Sequence, residues 1–397
     1  MVQAAQRSGT AKRRAVFEVF ARRLPEGRRY GVVAGTGRLL EAIERFRFDE
    51  EALAFLADSG IVDRETRAWL ADYRFAGDID GYAEGECYVP GSPLFAVDAS
   101  FTDAVMLETL VLSVLNHDSA IAAAASRMVC AAGDRPCIEF GSRRTHEISA
   151  IAAARAAYVA GFTSTSNLEA GRRYGIPTTG TAAHAFTLVH DSEEDAFRAQ
   201  VASLGVGTTL LVDTYDVAEG VRAAVAAAGP ELGAVRLDSG DLVELARQTR
   251  AQLDSLSATG TRIVVTSDLD EYAIAALAAA PADIYGVGTS LVTGSGAPTA
   301  GLVYKLVARG SADDPDAPLI PVAKRSVGKP SIGGRKIALR RRDSSGRATH
   351  EIVSTHGEPA DDGDDRLLTV PLMRGGAVVH DASLEDARRH HAARGHL

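Results

Sequence analysis

The stretch that decides the fold lies between residues 210 and 290: LLVDTYDVAEGVRAAVAAA (210–228), GAVRLDSGDLVELARQTRAQLDSL (233–256), TRIVVTSDLDEYAIAALAAA (261–280) and DIYGVGTS (283–290). In each piece a short apolar run, LLV, GAV, RIVV or DIY, gives way to a polar turn. The first three then continue into Ala-rich segments with apolar residues at helical spacing. Strand followed by helix every ~20–30 residues is the pattern of βαβ units and hence of a parallel sheet.

The same alternation extends upstream, with runs ending near Glu139, Thr163 and Thr181 ahead of those near Val212, Leu237, Thr266 and Tyr285. So many units in series predict a parallel α/β barrel, irregular and TIM-like, with an open doubly wound sheet as the alternative. GTAAHAF (180–186) reads as one of its strands, with His184 among small neighbours. The ends of the chain differ. VFEVF and YGVVAG lie between residues 15 and 35, and VYKLVA, PLIPVAK, RKIALR, HEIVST and RLLTVPL follow Leu302 without helices between them. Strands in such succession pair antiparallel. The organisation expected is a second α/β domain built from both termini, residues 1–102 and 303–397, around a catalytic barrel of residues 103–302.

Composition narrows the function. Hydrophobic residues at 46%, charged residues at 24% and a formal net charge of -9 describe an ordinary globular protein. They argue against a nucleic-acid binder, which needs a basic face. The apolar run Ala104–Leu115 is too short to span a bilayer and contains Glu108, and the polar N-terminus resembles no signal peptide, so no membrane association and a cytoplasmic location are expected. Cys87, Cys130 and Cys137 have no metal-ligand spacing, and reduced, buried thiols are expected.

In a parallel barrel the site forms where the βα loops meet, at the C-terminal ends of the strands. Polar residues recur there: EFGSRRTHE (139–147), GFTSTSN (161–167), GTAAHAF, Asp213 to Asp216, Arg236 with Asp238 to Gly240, Ser267 with Asp268 and Asp270, and Gly288 to Ser290. A single Asp at a strand end more often caps the next helix. A lone His beside small residues is more often a core residue than a catalyst. The repetition at one rim is what points to a shared site. Gly288 and Thr289, ahead of a helix start, suit a phosphate cradled by backbone N–H groups. Arginine is suited to forked contacts with carboxylate or phosphate.

Taken in order, GSRRTHE, GTAAHAF, LLVDTYD, VRLDSGDL, YGVGTSLVTGSGAPT and KRSVGKPSIGGRK resemble the nicotinate phosphoribosyltransferases, a family with the type II phosphoribosyltransferase barrel. The resemblance runs from about Ala15 to the final helix. It implies synthesis of nicotinate mononucleotide and pyrophosphate from nicotinate and phosphoribosyl pyrophosphate, the first step of NAD salvage from nicotinate, with ATP as co-substrate and Mg2+ as cofactor. It implies that His184 is phosphorylated by ATP and that Asp213 holds the imidazole. Phe140 would stack on the pyridine ring, Arg143 and Arg236 would take the nicotinate carboxylate and pyrophosphate, and Asp238 would accept from the ribose hydroxyls. Ser267, Gly288 and Thr289 would complete the phosphoribosyl site. Lys324, Lys329 and Lys336 would reach ATP or pyrophosphate, the rival role for them being a solvated strand edge.

Ser166 stands where nicotinamide-using relatives resemble an Asp, so it favours a carboxylate-bearing base over a carboxamide. The metal ligands are unknown from sequence, Asp268 and Asp270 being possible outer ones. The family opens with a D-x-Y-x-L-T-M segment whose tyrosine stacks on the base across a dimer boundary. This chain opens MVQAAQRSGTAKRR, as though shortened to the methionine that closes the motif. A homodimer is nonetheless expected. The alternative is a nucleotide-binding homologue with little turnover, and from a further class a different sugar-phosphate barrel enzyme, which would have no reason to keep GTAAHAF.

Overall fold

The computed structural model describes residues 1–312, 317–324, 326, 331–363, 365–380 and 383–393. They form two compact units, residues 121–298 and residues 1–120 with 299–397. The division falls inside the 25-residue helix Glu108–Ala132. No described helix is long and apolar enough to cross a membrane. Cys87 and Cys137 are buried as expected, but Cys130, on that helix, is exposed.

The unit 121–298 contains a six-stranded sheet in the order Ser164–Thr165, Cys137–Glu139, Ile284–Val287, Arg262–Val265, Ala234–Leu237, Thr209–Leu211. Every pairing in it is parallel. The expected α/β class and parallel barrel strands are therefore present, as an irregular half-barrel. Its edge strands are neighbours in sequence, and the segment between them carries the irregularity. Thr165 bridges Thr178 in parallel, with Thr165 N–H donating to Pro177 (3.0 Å) and Thr179 N–H to Thr165 (3.0 Å).

Beyond Thr179 the chain leaves the sheet. His184 is thus not on a strand, as the sequence suggested, but is the first residue of the short helix His184–Leu188. Gly180 and three alanines supply none of the β-branched bulk that sustains a strand, so helix formation prevails.

The intervening helices follow from their ends. Asp216 and Asp241 cap Val217–Ala228 and Leu242–Ser255 by accepting from Glu219 N–H (2.9 Å) and Glu244 N–H (3.2 Å). Gly220 is required in the first of these, because a Cβ there would stand 2.4 Å from the Val212 carbonyl oxygen. The helix thereby packs directly over the strand end that bears Asp213.

The other unit is built on a seven-stranded sheet in the order Leu319–Pro321, Leu302–Gly310, Arg14–Ala21, Phe95–Ser100, Asp78–Tyr82, Thr369–Arg374, Ala377–Val378. All its pairings are antiparallel. Its core includes Phe17 stacked on Tyr304 with centroids 4.9 Å apart. A three-stranded sheet orders Ala348–Ser354, Ile337–Arg342 and Arg366–Leu367. Asp78–Tyr82 and Phe95–Ser100, interior to the larger sheet, were not apparent in the sequence.

Candidate active site

The strand ends of the half-barrel converge on two adjoining cavities. One, of about 260 Å³, is lined by Phe140, Ser142, Arg143, Ser166, Thr181, Ala182, Ala183, His184, Arg236 and Asp238. The other, of about 240 Å³, is lined by Phe140, Arg143, Arg144, Arg236, Asp238, Thr266, Ser267, Asp268, Gly286, Gly288 and Thr289. Phe140, Arg143, Arg236 and Asp238 face both. The structure therefore brings together the candidates of the half-barrel except Asp270 and Asp213, the carboxylate of the latter lying beside His184.

Each wall has a local cause. Phe140 leaves the strand Cys137–Glu139 with its N–H bonded to Val287 (2.8 Å), which fixes where the ring emerges. Its ring crosses Gly286, where a Cβ would lie 2.6 Å from both ring carbons and the Thr266 methyl, so only glycine admits this approach. Buried Glu139 braces the loop by accepting from Gly141 N–H and the Thr165 hydroxyl. Burial pushes its carboxyl up, opposed by those two donors. Ser166 is held by its N–H to the Glu139 carbonyl (2.9 Å).

Arg236 is fixed on three sides. Nε donates to Thr266 Oγ1 (2.9 Å), Nη1 to Thr181 Oγ1 (2.7 Å) and Nη2 to Asp238 Oδ1 (2.7 Å), with the guanidinium 5.9 Å from the Phe140 ring centroid. Of its five N–H donors, those not used in this frame remain for an anion. Asp238 feels opposing influences: burial raises its carboxyl, but the Thr266 hydroxyl, Arg236 and His184 together hold it below the usual carboxylate range. Ser267, just beyond, adopts φ 118°, a strained value for a residue with a Cβ.

His184 is about half exposed, and its ring addresses three groups. Nδ1 lies 3.2 Å from the Thr214 hydroxyl. Nε2 lies 4.0 Å from Asp213 Oδ1 and 3.9 Å from Asp238 Oδ2. The Asp213 side chain is 2% exposed. Its Oδ2 accepts from Asp238 N–H (2.9 Å) and the Ser239 hydroxyl (2.8 Å), while Oδ1 is buried and has no hydrogen-bond partner. A buried carboxylate oxygen left unpaired is costly. A ring shift of about 1 Å would satisfy it from His184.

Other candidates fall elsewhere. Asp270 caps Glu271–Ala276, accepting from Tyr272 N–H (2.9 Å) and Ala273 N–H (2.8 Å), whereas Asp268 lines the second cavity. Lys324 and Lys336 belong to the other unit. Lys324 is exposed, and Lys336 is buried with Nζ on Glu18 Oε1 (2.7 Å) and the Ile332 carbonyl (2.9 Å). Lys329 lies outside the described residues. Sequence reasoning placed Thr181, Thr214 and Thr266 at strand ends without giving them a role; in the structure they frame Arg236 and His184. It missed Glu193, the first residue of the helix Glu193–Leu204, whose Oε1 is buried without a partner. Burial first, then the charges of Asp213 and Asp216, push the Glu193 carboxyl up to about 7.

Comparison with known proteins bears on this arrangement. Residues 1–116 match the nicotinate phosphoribosyltransferase (NAPRTase) N-terminal domain. The chain is 61% identical over 398 residues to nicotinate phosphoribosyltransferase pncB1 of Mycobacterium tuberculosis, covering 98% of this chain and 87% of that protein. It is 42% identical over 393 residues to pncB2 of the same organism, covering 96% and 81%. Among solved structures, human nicotinic acid phosphoribosyltransferase superposes with a TM-score of 0.81 at 25% identity, covering 99% of this chain and 91% of that one.

Proposed function

The chain belongs to the nicotinate phosphoribosyltransferase family, with the glycosyl-transfer activity that the name describes, and from that premise we propose an ATP-coupled mechanism running through a phosphohistidine at His184. The observation that carries the proposal is the half-exposed His184 ring, in one cavity with Phe140, Arg143 and Ser166, 4.0 Å from a buried and unpartnered Asp213 oxygen.

Asp213 accepts from Nε2–H and so fixes the tautomer with an unprotonated Nδ1, whose lone pair is freed for attack as the Thr214 hydroxyl, 3.2 Å away, turns aside. Nδ1 attacks the γ-phosphorus of ATP; an N–P bond forms, the bridging P–O bond breaks, and ADP departs with its electron pair. In the adjoining cavities nicotinate stacks on Phe140, with its carboxylate on Arg143 and the open N–H groups of Arg236. Ser166 adds no charge there, which suits an anion. The pyridine nitrogen attacks C1 of phosphoribosyl pyrophosphate as the C1–O bond breaks and pyrophosphate leaves. Asp238, held anionic by Arg236 and Thr266, receives the ribose hydroxyls and faces the positive charge that develops on the ribose. Ser267 and the backbone N–H groups at Gly288 and Thr289 take the 5′-phosphate. Hydrolysis of the phosphohistidine returns the enzyme to its starting state.

Magnesium would be held through Asp268, which lines the second cavity, rather than Asp270, which lines neither cavity and has one carboxylate oxygen committed as a helix cap. One protein carboxylate together with phosphate oxygens is an ordinary Mg2+ environment. When bound, the ion neutralises charge on the departing pyrophosphate.

A homodimer belongs to the same proposal. Ile148 (68% exposed), Leu168 (75%), Leu188 (60%) and Val189 (77%) leave large apolar side chains uncovered near the rim. Sedimentation at micromolar concentration is expected to show a dimer, and a monomer alone would count against it. The reading as a whole is tested by supplying nicotinate, nicotinamide and quinolinate in parallel, with and without ATP. Nicotinate mononucleotide, formed faster with ATP, is expected; preference for another base, or indifference to ATP, would overturn it.

A further inference from the structure

Ser142 and Asn167 stand on adjacent loops at the rim of the half-barrel, just beyond Cys137–Glu139 and Ser164–Thr165, two strands that pair in parallel. Ser142 lines the cavity that contains Phe140, Arg143 and Ser166. The hydrogen bonds behind it have a fixed direction. The Asn167 side chain caps the helix Leu168–Tyr174, its Oδ1 accepting from Ala170 N–H (2.9 Å). A backbone N–H can only donate, so the amide oxygen must face the helix and the NH2 must face the other way. There Nδ2 lies 3.0 Å from Ser142 Oγ, and an amide nitrogen also can only donate. Asn167 is held in this position by its own N–H on Thr165 Oγ1 (2.9 Å), whose hydroxyl proton goes to buried Glu139. Ser142 Oγ is thus an acceptor from Asn167, and its proton is left over. Among the described residues no acceptor takes that proton.

We propose that Ser142 binds the carboxylate of the base, and that Asn167 is the positioning residue that makes Ser142 a donor there. A carboxylate accepts at every lone pair, so it takes an O–H as readily as the Arg143 guanidinium in the same cavity. A carboxamide carries an NH2 on one side, and that side would meet a donor with a donor. Ser142 therefore selects between the two bases by polarity, where Ser166 does so by carrying no charge. The selection depends on the cap at Ala170, because a reversed Asn167 amide would draw the Ser142 proton to itself.

The inference rests on the reading that places the nicotinate carboxylate in this cavity. Its test is the KM for nicotinate, the KM for phosphoribosyl pyrophosphate and the inhibition constant of nicotinamide. These are measured in wild type, Ser142→Ala, Asn167→Asp, the double variant and Arg143→Ala, with unfolding midpoints showing that each is folded. Ser142→Ala is expected to raise the nicotinate KM about tenfold, through loss of a hydrogen bond to a charged group, with the KM for phosphoribosyl pyrophosphate unchanged. Asn167→Asp keeps the helix cap but puts an acceptor where the NH2 stood, so the Ser142 proton turns away from the cavity. It is expected to raise the nicotinate KM at least as far and to tighten nicotinamide. Most of that change should vanish when Ser142 is already alanine. An Asn167→Asp effect of equal size with and without the Ser142 hydroxyl would mean that the new charge acts alone, and would overturn the positioning role. A nicotinate KM raised by Arg143→Ala but not by Ser142→Ala would overturn the inference and leave the cavity reading standing. No rise in either would overturn both.

Discussion

Glu86 and Asp213 are equally buried carboxylates, each with 2% of its side chain exposed, and their surroundings could hardly differ more. Glu86, in the unit built from the termini, has both oxygens taken. Oε1 accepts from Cys87 N–H (3.1 Å) and Arg340 (3.1 Å), and Oε2 from Arg366 and His390 (2.8 Å). Against the penalty of burial, those partners bring its carboxyl down to about 2. Among the described residues Asp213 has no Lys or Arg within salt-bridge reach, only the ring of His184 at 4.0 Å, and one of its oxygens has no partner. A closed cluster of charge holds a structure together. An open one keeps a binding valence for chemistry. Burial alone does not distinguish the two; the tally of partners does.

The same isosteric change should therefore act oppositely at the two sites. Glu86→Gln leaves Arg340 and Arg366 facing a neutral group and is expected to cost about 3–5 kcal/mol of stability, read as a lower denaturant midpoint. Asp213→Asn removes an unsatisfied charge, so the unfolding midpoint should hold, while His184 phosphorylation falls about 100-fold through loss of a charged hydrogen bond. If Asp213→Asn destabilised as much as Glu86→Gln, the distinction between the two carboxylates would fail.

Acid sharpens the comparison. Because the folded-state value of Glu86 lies below its ordinary 4.5, its contribution is present above that pH and is lost as pH falls towards about 2. The stability gap between wild type and Glu86→Gln should narrow through that window; a gap independent of pH would contradict the assignment. The smallest effect belongs to Ser166→Asp. A carboxylate beside Arg143 and Phe140 should reduce the preference for nicotinate over nicotinamide by about tenfold, measured as the ratio of kcat/KM values. An unchanged ratio would mean that Ser166 does not face the carboxylate of the base.

The parallel strands were legible because LLV, GAVRL and RIVV join apolar bulk to helices with Asp caps, and DIYGV repeats the same apolar run. Asp78–Tyr82 was not, because DIDGY offers only Ile79 and Tyr82 to a core and its place depends on Phe95–Ser100 and Thr369–Arg374 on either side. GTAAHAF announced the chemistry of His184 and misled about its geometry: four small residues encode neither strand nor helix strongly, and the Thr165–Thr178 bridge determines where the sheet ends. Glu193 was hidden for a different reason. An acid following a Ser cap is what any helix start shows, and only the third dimension buries one of its oxygens without a partner.

The central claim, that the open carboxylate serves a phosphorylated histidine, is tested most directly with γ-labelled ATP on wild type and His184→Ala, followed by acid and base treatment. The account predicts acid-labile, base-stable label on the wild type and none on the variant. The variant should also lose nicotinate-stimulated ATP hydrolysis, while slow ATP-independent formation of nicotinate mononucleotide persists at the Arg143, Arg236 and Asp238 site. Label that survives in His184→Ala, or that resists acid in the wild type, would contradict it.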